Sequence, residues 1–248
     1  MTYFVEHDGR TSEFPDDSLL IFVDETGHEN FADPGAPFFG LGGCLCSAGS
    51  YQNLIELPWK SVEANFVTYQ LPLHAADLDP KNLSCSQLTA LGNFFVGNDF
   101  GRFATVIKAS FENEVGVDTF QLATVSTFDL ILQIIRKLGG TFSHIVLISE
   151  HSQRLDSQYA DYFHRQRFAF QDGSLVPFFH ATQSKASGED YPAGLAVADF
   201  VAHTAGSMSR SSKGGKRPVV RQDFNTIFQH NLSAHLFIDA ARKPANNS

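Results

Sequence analysis

The apolar positions of this chain gather into short runs separated by turn-rich stretches, and the period of each run predicts its element. Leu19 to Val23, "LLIFV", is unbroken apolar sequence, as a strand buried on both faces requires. "DETGHENFADPGAP" follows, with Gly27, Pro34, Gly35 and Pro37 marking a turn region. "FFGLGGCLCSA", Phe38 to Ala48, reads as a second strand whose glycines indicate a bulge or a close backbone approach. Strand, turn and strand predict an antiparallel hairpin. Residues 1–18 are polar and mixed, and read as a loosely ordered lead-in.

"YQNLIELPWKSVEANFVTYQ" supports helix on either side of Pro58, and "LPLHAADLDP" reads as a loop or short extended piece. Ser84 to Gly97 opens on an N-cap serine and carries apolar residues at helical spacing. Together these predict a helical insertion over about residues 50–98, between the early strands. Gly101 to Glu112 is rich in β-branched residues and reads as a third strand. Asp118 to Leu138 is the clearest helix: apolar residues recur at three and four, Arg136 and Lys137 fall in the last turn, and Gly139 stops it.

Ile145 to Ile148 is a fourth strand that runs into Glu150, and Asp156 to Phe170 reads as a helix. "SLVPFFHATQS" reads as the last strand, with Pro177 indicating an edge or a bulge. Tyr191 to Met208 is a helix rich in small residues whose one interior acid is Asp199. Early antiparallel strands followed by strand–helix alternation predict a mixed α/β sheet flanked by helices. A chain of 248 residues suits one such domain, 1–248.

Composition adds little to the fold and something to the function. Hydrophobic residues make up 43% and charged residues 18%, enough for a core that needs no disulfide or structural metal. Cys44, Cys46 and Cys85 are odd in number and fit a reducing, cytoplasmic setting. Cys44 and Cys46 share a strand face, and with no second pair of ligands they read as core residues rather than as a zinc site. No run of about 20 apolar residues predicts a membrane span. The net charge of −9 argues against binding nucleic acid through bulk charge. Yet within residues 207–222 stand Arg210, Lys213, Lys216, Arg217 and Arg221 with no acid among them. Such a basic loop suits a phosphate backbone, and equally a solvated, partly disordered segment.

Three acids, Asp24, Glu150 and Asp199, each follow or interrupt an apolar segment, where an uncompensated charge is costly. If the first and fourth strands are parallel neighbours, Asp24 and Glu150 meet in the crevice at the strand ends. A final helix packed across that end would bring Asp199 in. Clustered carboxylates call for a cation, and hard oxygen ligands suit Mg²⁺ or Mn²⁺. Such ions support phosphoryl-transfer chemistry. Taken singly, Asp24 reads equally as a turn cap and Asp199 as half of an ion pair. Glu25 shares the direction of Asp24 only if the strand has ended, which Gly27 suggests. His203 lies four residues after Asp199, on the same helix face, either completing a metal site or packing on the sheet. His74, with Asp77 three residues on, can bind metal or move a proton, or is a surface histidine. His28 and Glu29 are placed to line the crevice. There is no phosphate loop of the P-loop type and no GxSxG elbow.

These motifs, in this order, resemble the domain-of-unknown-function 3800 family. "FVDETG" is similar to its "DESG" signature, with Thr26 in place of serine. "FFGLGGCLC" resembles its glycine-containing second strand. "LPLHAADL" resembles its His–Ala segment and gives His74, and "YPAGLAVADFVAHTAG" resembles its C-terminal "LQLADLVAG" helix and gives Asp199. The resemblance spans roughly Leu19 to Gly206. It implies a ribonuclease-H-like fold and metal-dependent nuclease activity on nucleic acid. Joined to the residue reading, it puts Asp24, Glu25, Glu150, Asp199 and His203 about the metal, with His74 assisting. The family's Asp–Glu pair at the fourth strand reads Ser149–Glu150 here, and Ala196 replaces a common glutamine. The alternative is therefore a non-catalytic nucleic-acid- or partner-binding protein on a degraded site. A hydrolase of small phosphorylated metabolites, favoured by the acidic bulk charge, ranks third.

Overall fold

The structure, a computed structural model, describes residues 3–7, 10–31, 33, 37–79, 82–108, 118–139, 141–152, 156–157, 159, 167–169, 175–183, 191–211 and 224–238. Its centre is a mixed sheet of order β7-β8-β6-β3-β4-β5-β9. The strands are β3 (Leu19–Gly27), β4 (Phe38–Ser47), β5 (Gly101–Lys108), β6 (Ile145–Glu150), β7 (Arg167–Ala169), β8 (Leu175–Gln183) and β9 (Ser233–Ile238). β3 and β4 pair antiparallel, as the hairpin pattern predicts, with Asp24 opposite Gly42. β3 and β6 pair in parallel from Leu19–Ile145 to Val23–Ser149, so the first and fourth predicted strands are neighbours.

Helices cover both faces because these strands are apolar on both. On one face lie α1 (Ala48–Tyr51), a π turn (Gln52–Glu56), α2 (Leu57–Glu63), α3 (Cys85–Gly97), α5 (Ala193–Ser211) and α6 (Phe224–Phe228). On the other lies α4 (Thr119–Leu138), capped by the Asp118 carboxylate at its N-terminus and closed by Gly139 at φ 64°. The helix is uninterrupted at Pro58, since the π turn before it absorbs the missing N–H. Two core clusters, one per face, divide β3 by strict alternation. Leu20 and Phe22 belong to the α5 face, and Leu19, Ile21 and Val23 to the α4 face. Cys44 and Cys46 are both buried in the α5-side cluster, as their shared face requires.

Four expectations need correction. Residues 1–18 are not a loose lead-in: β1 (Tyr3–His7) and β2 (Arg10–Phe14) form a hairpin anchored by buried Val5 and Phe14. Tyr3, Phe4 and Val5 are consecutive and β2 carries only Phe14, so neither strand shows a readable alternation. The 174–184 strand is not the last, because β9 follows and pairs in parallel with β5. β8 lies between β6 and β7; Pro177 pairs only with the three-residue β7, just ahead of the Phe178–Gln183 stretch bonded to β6, so its missing N–H breaks no interior rung. Within the predicted helix 156–170, Asp156, Ser157 and Tyr159 are helical, but Arg167–Ala169 form β7. The predicted basic loop 207–222 begins inside α5, which extends to Ser211. No helix among the described residues is long and apolar enough to cross a membrane.

Candidate functional site

The period that sorts the core also aims the acids. Continuing β3 past Phe22 puts Asp24 on the α5 face. In β6, Val146 and Ile148 face α5 while Ile145 and Leu147 face α4, so Glu150 joins Asp24 and Ser149 turns away. Ser149 is buried, and its hydroxyl hydrogen-bonds the His180 ring at 3.0 Å. Ser149 therefore stands on the opposite face from Asp24.

β3 does not end at Glu25. It runs to Gly27, whose φ of 76° turns the chain, so the expectation of an earlier strand end is corrected. Glu25 still reaches the site. Pairing of β3 with β6 stops at Val23, which opens the space beyond. A cleft of about 440 Å³ lies there, lined by Asp24, Glu25, Glu150, His151 and Ser152.

Asp199 arrives through the glycines. Gly42 lies opposite Asp24 in the ladder, and a Cβ on Gly42 would stand 2.6 Å from Cα of Ala202 on α5. A Cβ on Gly194 would stand 2.5 Å from the Phe22 ring. Bare backbone on both partners lets α5 lie close on β3 and β4. Gly42 of the "GLGG" motif is thus a helix seat, while Gly40 and Gly43 lie close against Thr105 and Phe22 of the neighbouring strands, the close backbone approach that the composition predicts. From that seat Asp199 meets both Asp24 and the helical insertion. Its Oδ2 accepts the Ala75 N–H at 2.6 Å, and His74 Nδ1 lies 3.8 Å away.

The electrostatics follow from the crowding. Burial, and after it the charges of Asp199, Glu25 and Glu150, hold the Asp24 carboxyl well above the usual carboxylate range. The Glu25 N–H opposes this shift, donating to Asp24 Oδ1 at 2.8 Å. Tyr191 donates its hydroxyl to Glu150 Oε2 at 3.3 Å, and its phenol is pushed up by burial and then by Glu150, Asp24 and Asp199. A half-buried set of oxygen donors with excess negative charge fits a hard divalent cation. No three His, Cys, Asp or Glu side chains among the described residues already converge as a metal shell.

The other predicted residues are placed as follows. His203 is half-buried on α5, one turn beyond Asp199. His28 pairs with Glu29 at 3.3 Å. Arg210 belongs to α5, while Lys213, Lys216, Arg217 and Arg221 lie outside the described residues. Three residues escape the sequence reading. His151 lines the cleft, with Nδ1 paired to Asp156 Oδ2, and Asp156 Oδ1 accepts the Ser152 N–H at 3.0 Å. Tyr191 is the third. Only the position of His151 directly after Glu150 could have flagged the first two, and nothing local marks Tyr191. No family model and no curated protein sequence matches the chain, so the functional reading rests on this geometry.

Proposed function

We propose that the chain is a divalent-metal-dependent nuclease or related phosphodiesterase, built on a ribonuclease-H-like arrangement of its mixed sheet. One observation carries the reading: Asp24 is crowded by three other carboxylates at the ends of two parallel strands, at the mouth of an open cleft. Such a cluster is destabilising unless its charge is used. The motif order from Asp24 to Asp199 supports the same reading.

Asp24, Glu150 and Asp199 would hold Mg²⁺ or Mn²⁺, with Glu25 at the cleft wall and His203 adjacent on α5. When bound, the cation supplies charge for activating water and stabilising a leaving oxygen. The chain's own groups do the rest. Ala75 N–H fixes one oxygen of Asp199, and Tyr191 fixes one oxygen of Glu150. His151, oriented by Asp156, presents its ring to the cleft for proton transfer, while His74 stands on the Asp199 side. A nucleic-acid substrate is favoured by the position of α5: Gly206 lies against Thr26 and Phe38, so the basic run beginning at Arg210 starts one turn past the end of β3.

The alternative, a non-catalytic binder on a degraded site, drew on Ser149. That residue faces His180, so its identity leaves the carboxylate set intact. The test is Mn²⁺- or Mg²⁺-dependent cleavage of single- and double-stranded DNA and RNA. Asp24→Asn and Asp199→Asn should each abolish it, and cleavage unchanged in Asp24→Asn overturns the assignment.

A further inference from the structure

We infer that Tyr191 is a positioning residue of this cleft, holding in place Glu150 and Asp199, the carboxylates that β6 and α5 bring to Asp24 of β3. The inference rests on the cation-binding reading above and adds the residue that sets the geometry. Tyr191 directly precedes Pro192, whose carbonyl accepts the Leu195 N–H at 2.9 Å, so its backbone is tied to the first turn of α5. Two of its side-chain contacts bear on the acids. The hydroxyl donates to Glu150 Oε2 at 3.3 Å. The ring meets that of His74 edge-on, with centroids 6.3 Å apart at 66°.

Each contact governs one acid. Held at Oε2 by the phenol, the carboxylate is oriented at the cleft that Glu150 lines. His74 is followed directly by Ala75, whose N–H holds Asp199 Oδ2 at 2.6 Å. Packing on His74 therefore restrains the backbone that restrains Asp199. One side chain thus links β6, the insertion loop and α5 around the acid cluster.

Two variants separate the contacts. Tyr191→Phe keeps the ring against His74 and removes the donor. Tyr191→Ala removes both. The probe is Mn²⁺ alone, titrated calorimetrically into the full chain, together with thermal melts and amide exchange of residues 73–78 without metal. For Tyr191→Phe the expected result is about tenfold weaker Mn²⁺ binding, the usual cost of losing a group that orients a ligand, with melting temperature and exchange unchanged. For Tyr191→Ala the expected result is weaker binding still, with faster exchange at Ala75. If wild type binds Mn²⁺ and Tyr191→Phe binds it equally well, Tyr191 only packs and the inference is overturned while the cation reading stands. If wild type and Asp24→Asn alike bind no Mn²⁺, the cation reading itself fails and takes the inference with it.

Discussion

Asp199 on α5 is, after burial, the strongest influence on the Asp24 carboxyl of β3, although the two are distant in sequence and belong to different layers of the fold. Their proximity is a backbone effect. Gly42, opposite Asp24, lies under Ala202, three residues along the helix from Asp199. The pair is therefore sensitive both to charge and to the spacing of the helix from the sheet.

Charge gives a pH prediction for the metal-free protein. The Asp24 carboxyl is raised in the folded state relative to the unfolded chain, so the native state binds the extra proton. Stability contributed by that proton is present at low pH and is lost as pH rises through the folded-state value. Melting temperatures in chelator should fall between mildly acidic and alkaline pH. Asp24→Asn should flatten that fall and melt higher at pH 8, each 1 kcal/mol being worth roughly 2–4 °C for a domain of this size. A wild-type melting temperature that rises over this range would contradict the crowding. Saturating Mn²⁺ should reverse the order, stabilising wild type and leaving Asp24→Asn unchanged.

Spacing gives a second. Gly42→Ala puts a methyl against the Ala202 backbone, and helix and strand must part. Overpacking of this kind costs about 1–3 kcal/mol, measurable by urea denaturation. Mn²⁺ affinity should fall as well, because Asp199 moves with α5. A variant that folds normally and binds Mn²⁺ unchanged would show that the seat has slack.

Ser149 and Glu150 give a third. They are adjacent in sequence and face opposite sides of the sheet, so their substitutions should not resemble each other. Ser149→Ala should leave Mn²⁺ binding within about twofold, while Glu150→Gln should weaken it about tenfold or more, as loss of a charged ligand requires. Equal effects in calorimetry would mean that the alternation fails at the end of β6.

Arg102 gives a fourth, remote from the site. It is fully buried in β5, its guanidinium 4.0 Å from the Phe100 ring centroid, and it donates to the carbonyls of Phe95, Asn98 and Phe100. Burial lowers its pKa to about 10, so it remains charged at neutral pH and holds the C-terminal end of α3 against the sheet. Arg102→Met orphans those carbonyls and should cost roughly 2–4 kcal/mol in chemical denaturation, with Mn²⁺ affinity unaltered.

Much of the fold was legible because its signals are local. Continuous apolar runs announce β3 and β6, the Ser84 N-cap with helical spacing announces α3, and Asp118 with Gly139 brackets α4. Where the signal is weak, the reading failed. β1 and β2 contribute one buried residue each to the core clusters, Val5 and Phe14, and β9 is partly exposed along its length, so neither shows a clean period. These strands form because a neighbouring edge or core accepts them, which is tertiary information.

The sequence by itself determined which residues carry charge into apolar surroundings: Asp24, Glu150 and Asp199 stand out because burying a carboxylate is costly wherever it occurs. Tertiary structure decided the rest. Parallel register brought Asp24 beside Glu150, strand alternation turned Ser149 away, and glycine-to-alanine packing set α5 close enough for Asp199 to be felt. Tyr191 joined only there, because a hydrogen bond between residues on separate elements leaves no trace in local spacing.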